Sequence, residues 1–195
     1  MNRKCTLWLR LLAPYFAVGV FWIGFSNAWL AILGYHLQIV LWHRFGRRLR
    51  ARITENRMVC CTSLLAVLAG PVVYFLLPRI ALVDLAQWLE GYGLRRASLL
   101  VMIPYFWVVH PILEQLHWQR LRAETVWAHA FFAGYHVLVL YALLPFGWLV
   151  VSFLVLLGIS LLWHKAGNTA QARWYCRGSH MLADLGIVLA VICLT

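Results

Sequence analysis

Ionisable residues interrupt otherwise apolar sequence at spacings that place them on one face of a helix. His110, Glu114 and His117 follow an i, i+4, i+7 pattern, and His180 and Asp184 are four positions apart. Ionisable side chains within a bilayer cost about 2.5–3.5 kcal/mol each on insertion scales, so they are functional candidates by default. Carboxylates and imidazoles can transfer protons or bind a metal ion. We therefore expect Glu114, His180 and Asp184 to form a shared functional site with His136, which lies in another apolar stretch.

Another apolar stretch adds two histidines, His129 and His136, which are seven positions apart. At a rise of about 1.5 Å per residue from the expected cytoplasmic helix ends, Glu114, His136 and His180 lie within roughly 5 Å of the same depth. We expect these three residues to share one layer in the cytoplasmic half of the membrane. His129 lies nearer the surface and matches the depth of His117.

Single histidines in apolar helices more often form hydrogen bonds to a neighbouring helix than bind a ligand. On this ground we expect His36 and His110 to stabilise helix packing, and we treat His117 and His129 as secondary site candidates. The corresponding alternative for Glu114 is a buried ion pair with a protonated histidine that holds the bundle in register.

The elements that position these residues have the composition of an integral membrane protein. Of the 195 residues, 64% are hydrophobic and 12% are charged, whereas about 25% of a soluble domain is charged. A membrane-spanning helix needs about 20 apolar residues, so the chain has room for six or seven spans and for no soluble catalytic domain. We predict an all-α polytopic transmembrane helical bundle of six or seven spans, with residues 1–195 forming one membrane domain.

Basic residues are concentrated in predicted loops between the apolar stretches, an arginine-rich loop from Arg44 to Arg57, a second with Arg120 and Arg122, and a third with Lys165, Arg173 and Arg177. The chain carries 17 Lys and Arg against 6 acidic residues, a net charge of +11. Excess Lys and Arg in short loops is typical of the cytoplasmic side of membrane proteins, so this charge does not indicate nucleic-acid binding. We expect a multi-pass protein with a cytoplasmic N-terminus, in the inner or plasma membrane if the source is bacterial, whose surroundings are the lipid bilayer.

The apolar stretches and the residues between them predict an order of elements. Thr125 is the expected N-cap of one span, and the segment 79–97 combines charged and apolar residues as an interfacial amphipathic helix does. The expected elements are two short helices over residues 7–42 that turn near Ser26 and Asn27, a span over 58–78, the interfacial segment 79–97, and spans over 98–118, 125–144, 148–163 and from 168 or 169 to 194.

Three motifs in the C-terminal half resemble those of the CPBP intramembrane proteases, the CAAX-protease and bacteriocin-processing group. The family patterns are EExxxR, FxxxH and HxxxN/D, and each counterpart here lies in a predicted span. The resemblance covers approximately residues 101–195, and we place the motif-bearing core at approximately 98–195. The counterparts are the run from Pro111 to Gln115, Phe132 with His136, and His180 with Asp184.

The resemblance implies an intramembrane endopeptidase that hydrolyses a peptide bond in a membrane-associated peptide or protein. It implies that Glu114 activates water and that His136 and His180 stabilise the oxyanion or bind a metal, with Asp184 orienting His180. One form of the site would hold Zn²⁺ or another divalent ion on Glu114, His136 and His180. Metal-free activation of water by the glutamate is equally compatible with these residues.

Two positions depart from the family pattern. Gln115 replaces the second glutamate of the first motif, and Gln119 stands where the pattern has arginine. These departures keep open a catalytically degenerate member that acts as a membrane scaffold or immunity factor. Two further functions stay open, namely a proton-coupled transporter, in which the ionisable residues relay protons, and a haem-binding membrane subunit with paired histidine ligands.

Overall fold

The computed structural model describes residues 3–43, 58–167 and 170–195, and the regular elements in these ranges are all helices. The predicted all-α class is therefore confirmed. In chain order the helices are α1 (Arg3–Ala17), which continues as a π-helical segment (Val18–Gly24), α2 (Ala28–His43), α3 (Met58–Ile80), α4 (Leu85–Gly91), α5 (Arg96–Pro104), a second π-helical segment (Tyr105–Val109), α6 (His110–Glu124), α7 (Trp127–Leu140), α8 (Phe146–Ala166) and α9 (Ala170–Leu194).

Several of these helices have the length and composition of membrane spans. Four continuous helical stretches qualify, and a fifth consists of two helices bent by 94°. Two further apolar helices are shorter. If the bent pair counts as one span, six spans require one of these helices to cross and seven require both. The four stretches are Lys4–Gly24, Arg96–Glu124, Phe146–Ala166 and Arg173–Leu194, the bent pair is Leu65–Ile80 with Leu85–Gly91, and the shorter helices are Ala28–Trp42 and Trp127–Leu140.

The first two helices are separated by a tight turn, as predicted from Ser26 and Asn27. Ser26 has a φ of 47°, a left-handed conformation that breaks the helical path. The side chain of Asn27 then accepts the backbone N–H of Leu30 at 3.0 Å and caps α2. The N–H of Ala28 donates to the carbonyl of Tyr92 at 2.9 Å, which ties the start of α2 to the end of α4.

Two predicted elements differ from the structure in length. The amphipathic segment 79–97 forms only the short α4, capped by Asp84, whose Oδ1 accepts the N–H of Gln87 at 2.9 Å. Thr125 accepts the N–H of Trp127 at 3.3 Å, but the prediction that it is the N-cap is wrong, because Val126 directly precedes α7 and forms no side-chain cap. Helix α7 also ends at Leu140 rather than at residue 144. The predicted start of the last helix at 168 or 169, and the arginine-rich loop from residue 44, lie outside the described residues.

A π-helical segment interrupts the long helix that carries the first motif. Pro104 has no N–H, and its ring disfavours a regular helical turn. The N–H of His110 accordingly bonds to the carbonyl of Tyr105, five residues earlier. The predicted span over 98–118 thus becomes a longer helical path from Arg96 to Glu124, in which Tyr105 and His110 lie on either side of the register change. Such π segments are frequent at functional sites.

An ion pair anchors the end of α6 to the first helix. Nη1 of Arg10 lies 2.8 Å and 3.0 Å from the two carboxylate oxygens of Glu124. Arg10 is 5% exposed, so this pair is better shielded from water than a surface ion pair. This ion pair holds the end of α6 against α1, beyond Gln119, the last position of the first motif.

Helix α9, which carries the third motif, packs closely along α3. A Cβ atom added at Gly70 would lie 2.8 Å from the backbone oxygen of Gly186. Small residues at such a crossing allow two membrane helices to approach each other. The close approach brings α9 into the position from which it presents His180 and Asp184.

We predict that Gly70→Ala destabilises the protein, because the added methyl group meets the backbone of α9. Overpacking of this kind costs about 1–3 kcal/mol. The control is Gly158→Ala in α8, where a Cβ atom would have no neighbour within 4 Å. Thermal unfolding of the detergent-solubilised protein should show a lower midpoint for Gly70→Ala alone, and equal midpoints would contradict the α3–α9 packing.

Candidate functional site

Glu114 on α6 is fully buried, with 0% exposure, and lies at the centre of a polar cluster between four helices. The hydroxyl of Tyr35, on α2, donates to its Oε1 at 2.8 Å. Nε2 of His180, on α9, lies 3.1 Å from its Oε2. The structure thus brings together Glu114 and His180, two of the three residues that the sequence placed in one layer.

Two pairs of residues with the same spacing face each other in this cluster. His110 and Glu114 are one helical turn apart on α6, and His180 and Asp184 are one turn apart on α9. Nε2 of His110 lies 3.8 Å from Oε2 of Glu114 and 4.0 Å from Oδ2 of Asp184. Oδ1 of Asp184 lies 3.4 Å from Nε2 of His180. Asp184 therefore approaches the same nitrogen of His180 that faces Glu114.

The carboxylate oxygens of Glu114 and Asp184 differ in whether they accept a hydrogen bond. Oε2 of Glu114 and Oδ2 of Asp184 are buried and accept no hydrogen bond from the described part of the chain. Oε1 of Glu114, in contrast, is held by Tyr35. The unsatisfied oxygens both face imidazole nitrogens, Oε2 of Glu114 that of His180 and Oδ2 of Asp184 that of His110.

Aromatic residues fix the orientation of Glu114. The indole N–H of Trp118, a residue with 0% exposure, donates to the hydroxyl oxygen of Tyr35 at 3.1 Å. The hydroxyl oxygen of Tyr135 lies 3.3 Å from that of Tyr35. Since an ionised carboxylate only accepts, the single proton of the Tyr35 hydroxyl is directed to Glu114, at the shorter of its two distances.

His136 belongs to this layer but contacts other partners. Its Nδ1 lies 2.8 Å from the carbonyl of Phe132 and its Nε2 lies 3.1 Å from the hydroxyl of Tyr135. Because a carbonyl only accepts, Nδ1 carries the proton and Nε2 of a neutral His136 is an acceptor. The chain of contacts from His136 to Glu114 passes through Tyr135 and Tyr35.

A buried arginine, which sequence reasoning assigned to a basic loop, reaches the cluster through a glutamine. Nη1 of Arg122 donates to Oε1 of Gln115 at 3.2 Å, and Nε2 of Gln115 lies 3.4 Å from Nδ1 of His180. Arg122 is 4% exposed, and its guanidinium lies over the rings of Phe132 and Trp163. The signal that could have identified Arg122 is its seven-position spacing from Gln115, which places both on one helix face.

Two histidines that were expected to stabilise packing extend the cluster. Nδ1 of His36 lies 2.7 Å from the carbonyl of Ile32, and the hydroxyl of Tyr105 lies 2.6 Å and 3.0 Å from its two ring nitrogens. Nδ1 of His110 lies 3.3 Å from Nε2 of His36. His36 and His110 do link helices, and His110 also faces the carboxylates.

Three secondary candidates lie apart from the cluster, although all are buried. His117 lies beside Arg10, and the two residues line the same small cavity. His129 bonds through Nδ1 to the hydroxyl of Ser160 at 2.9 Å. Gln119 has an unpartnered Nε2 among the described atoms.

Comparisons with known proteins leave the family open. No protein-family model matches the chain, and searches of curated proteins and of solved structures return no match. The resemblance to CPBP intramembrane proteases therefore stays a prediction that rests on three motifs.

We predict that Tyr35→Phe destabilises the protein by about 1–3 kcal/mol, because it leaves Oε1 of Glu114 and the indole N–H of Trp118 buried without their partner. The matched control is Tyr74→Phe, at a tyrosine that is 42% exposed. Thermal unfolding in detergent measures both variants. Equal midpoints for the two would show that Glu114 does not depend on this hydrogen bond.

Proposed function

We propose that the protein is an intramembrane endopeptidase, similar to the CPBP family, that hydrolyses a peptide bond in a membrane-associated substrate. The observation that carries the proposal is the direct approach of Glu114 Oε2 to His180 Nε2, at 3.1 Å, inside an apolar bundle. A buried carboxylate beside an imidazole supplies the base and the electrophilic support that amide hydrolysis needs.

In the proposed reaction Glu114 acts through Oε2, while Tyr35 holds Oε1. Oε2 accepts a proton from water, and the water oxygen attacks the carbonyl carbon of the substrate. His180 supports the negative charge that develops on the carbonyl oxygen through its N–H. A divalent ion held by His180 would supply the same support as a Lewis acid. The proton on Glu114 then passes to the amide nitrogen as the C–N bond breaks, which yields a carboxylic acid and an amine.

One observation favours a second candidate, a scaffold or immunity factor without catalysis. The cluster is closed, since Glu114 and Gln115 are 0% and 1% exposed, so a substrate needs helices to separate. A buried ion pair in a closed bundle can serve only to hold helices in register. The proton-coupled transporter and the haem-binding subunit stay predictions.

We predict that Glu114→Gln lowers peptide cleavage about 10²–10⁴-fold, because it removes the general base. The control is Glu90→Gln, at a glutamate whose side chain is 62% exposed. Mass spectrometry of new peptide termini compares membranes of one host that express wild type or either variant. Termini common to wild type and Glu90→Gln, and absent from Glu114→Gln, support the peptidase.

The same comparison separates the two candidates. If the protein is a scaffold, Glu114→Gln changes the unfolding midpoint while the set of peptide termini stays that of the wild type. Such a result would contradict the proposed function.

We further propose seven spans with a cytoplasmic N-terminus, in which both shorter apolar helices, Ala28–Trp42 and Trp127–Leu140, cross the membrane. With an odd number of crossings, the exposed residues Cys5 and Cys193 lie on opposite sides. The basic residues between apolar stretches favour a cytoplasmic position for the Cys5 end.

We predict that a membrane-impermeant maleimide labels a variant that retains only Cys193 in intact cells, and one that retains only Cys5 after permeabilisation. The control variant retains only Cys176, which is buried and should react only after denaturation. Labelling of Cys5 and Cys193 from the same side would establish an even number of crossings and refute the seven-span arrangement.

A further inference from the structure

We propose that His110, His180 and Asp184 bind a divalent metal ion, with Zn²⁺ as the ion of best chemical fit, next to Glu114. This inference rests on the proposed function, because it specifies what supports Glu114 at that site. It changes the ligand set expected from the sequence. His110 and Asp184 take the places that were assigned to Glu114 and His136.

The first argument is the convergence of ligand atoms. One ligand atom from each of His110, His180 and Asp184 lies within 4.8 Å of the others. In a tetrahedral site with bonds of about 2.0–2.1 Å, neighbouring ligand atoms are about 3.3 Å apart. The measured separations of 3.4 Å and 4.0 Å from the carboxylate of Asp184 to His180 and His110 are close to that value.

The second argument is the direction of the protons in the histidine chain. The carbonyl of Ile32 accepts from Nδ1 of His36, so Nε2 of a neutral His36 is an acceptor. Nδ1 of His110 lies 3.3 Å from that nitrogen, and the hydroxyl of Tyr105 lies 3.0 Å from it. When His110 donates to His36 through Nδ1, Nε2 of His110 presents a lone pair. That lone pair faces Asp184 and Glu114, whose nearest oxygens also accept no hydrogen bond from the described residues.

A cation held by His110, His180 and Asp184 would compensate the two buried carboxylate oxygens, Oε2 of Glu114 and Oδ2 of Asp184, that accept no hydrogen bond from the described residues. Buried carboxylates without a partner are strongly unfavourable, so the positive charge of a metal ion is of direct benefit here. The His36 contact also supplies the outer hydrogen bond that fixes the ring of a metal-bound histidine. Two histidines, one carboxylate and a free coordination position are the pattern of catalytic zinc sites, with a separate glutamate as base.

Gln115 modulates this site. For Nε2 of His180 to bind a metal, Nδ1 must carry the proton and needs an acceptor. Arg122 holds the Gln115 amide with its oxygen turned away and its Nε2 3.4 Å from that nitrogen. A glutamate at position 115 would accept from both Arg122 and His180, so Gln115→Glu should tighten metal binding about 10–100-fold.

The test is a titration of the full-length, chelator-treated protein in detergent with CoCl₂, followed by visible absorption, with zinc stoichiometry measured by mass spectrometry. We expect one ion per chain and an absorption band typical of tetrahedral Co²⁺. His110→Gln and Asp184→Asn should lose binding at least tenfold. The control variants His136→Gln and His129→Gln should bind as the wild type does.

Three results would overturn the metal site: no saturable binding to the wild type, loss of binding in His136→Gln with retention in His110→Gln, or weaker binding in Gln115→Glu. The wild-type and Gln115→Glu titrations stay decisive if a ligand variant fails to fold. Glu114→Gln should retain the ion, because Glu114 is not a ligand.

Failure of the metal site and failure of the proposed function give different results. Cleavage that depends on Glu114 in a protein that binds no metal refutes only the metal site. Metal binding without such cleavage refutes only the peptidase.

Discussion

The arrangement of the helices depends on satisfying one carboxylate, that of Glu114, in the interior of an apolar bundle. An uncompensated buried charge costs several kcal/mol, so each neighbouring helix must contribute a polar group at the right height. Tyr35 from α2 and His180 from α9 contact Glu114 directly, and Tyr135 from α7 completes the layer through Tyr35. Displacement of any of these helices by one turn would remove a partner and leave the charge unpaired.

Sequence spacing predicts the meeting of Glu114 and His180 because depth along a membrane helix follows directly from residue number. It does not predict which side of a helix faces which neighbour, and this is why His136 shares the layer but bonds to Phe132 and Tyr135. Tyr35 was missed for another reason. Tyrosines in membrane proteins are typical of the interface, so composition alone gives no reason to place one against a buried carboxylate.

Helix ends limit prediction in a similar way. The basic residues after Trp118 indicate a loop, but α6 continues to Glu124, which the ion pair with Arg10 anchors. Arg122 consequently lies inside the bundle, where it contacts Gln115, rather than in the cytoplasm. Because α6 continues to Glu124, Arg122 supplies a buried cation near His180 although position 119 is a glutamine. The contact between α1 and α6, two helices that are distant in sequence, contributes to this outcome.

The two oxygens of Glu114 differ in their hydrogen bonds, and this difference supports the proposed site over simple helix packing. A carboxylate that only holds helices together gains most when both oxygens accept hydrogen bonds, and most buried polar atoms in proteins do so. Here Oε1 is fixed by Tyr35, whereas Oε2 and the nearby Oδ2 of Asp184 accept no hydrogen bond from the described residues. Buried polar atoms without a hydrogen bond are expected where a protein retains function at the expense of stability. The oxygen that remains unsatisfied is the one that faces His110 and His180, where a proton or a metal ion would be exchanged.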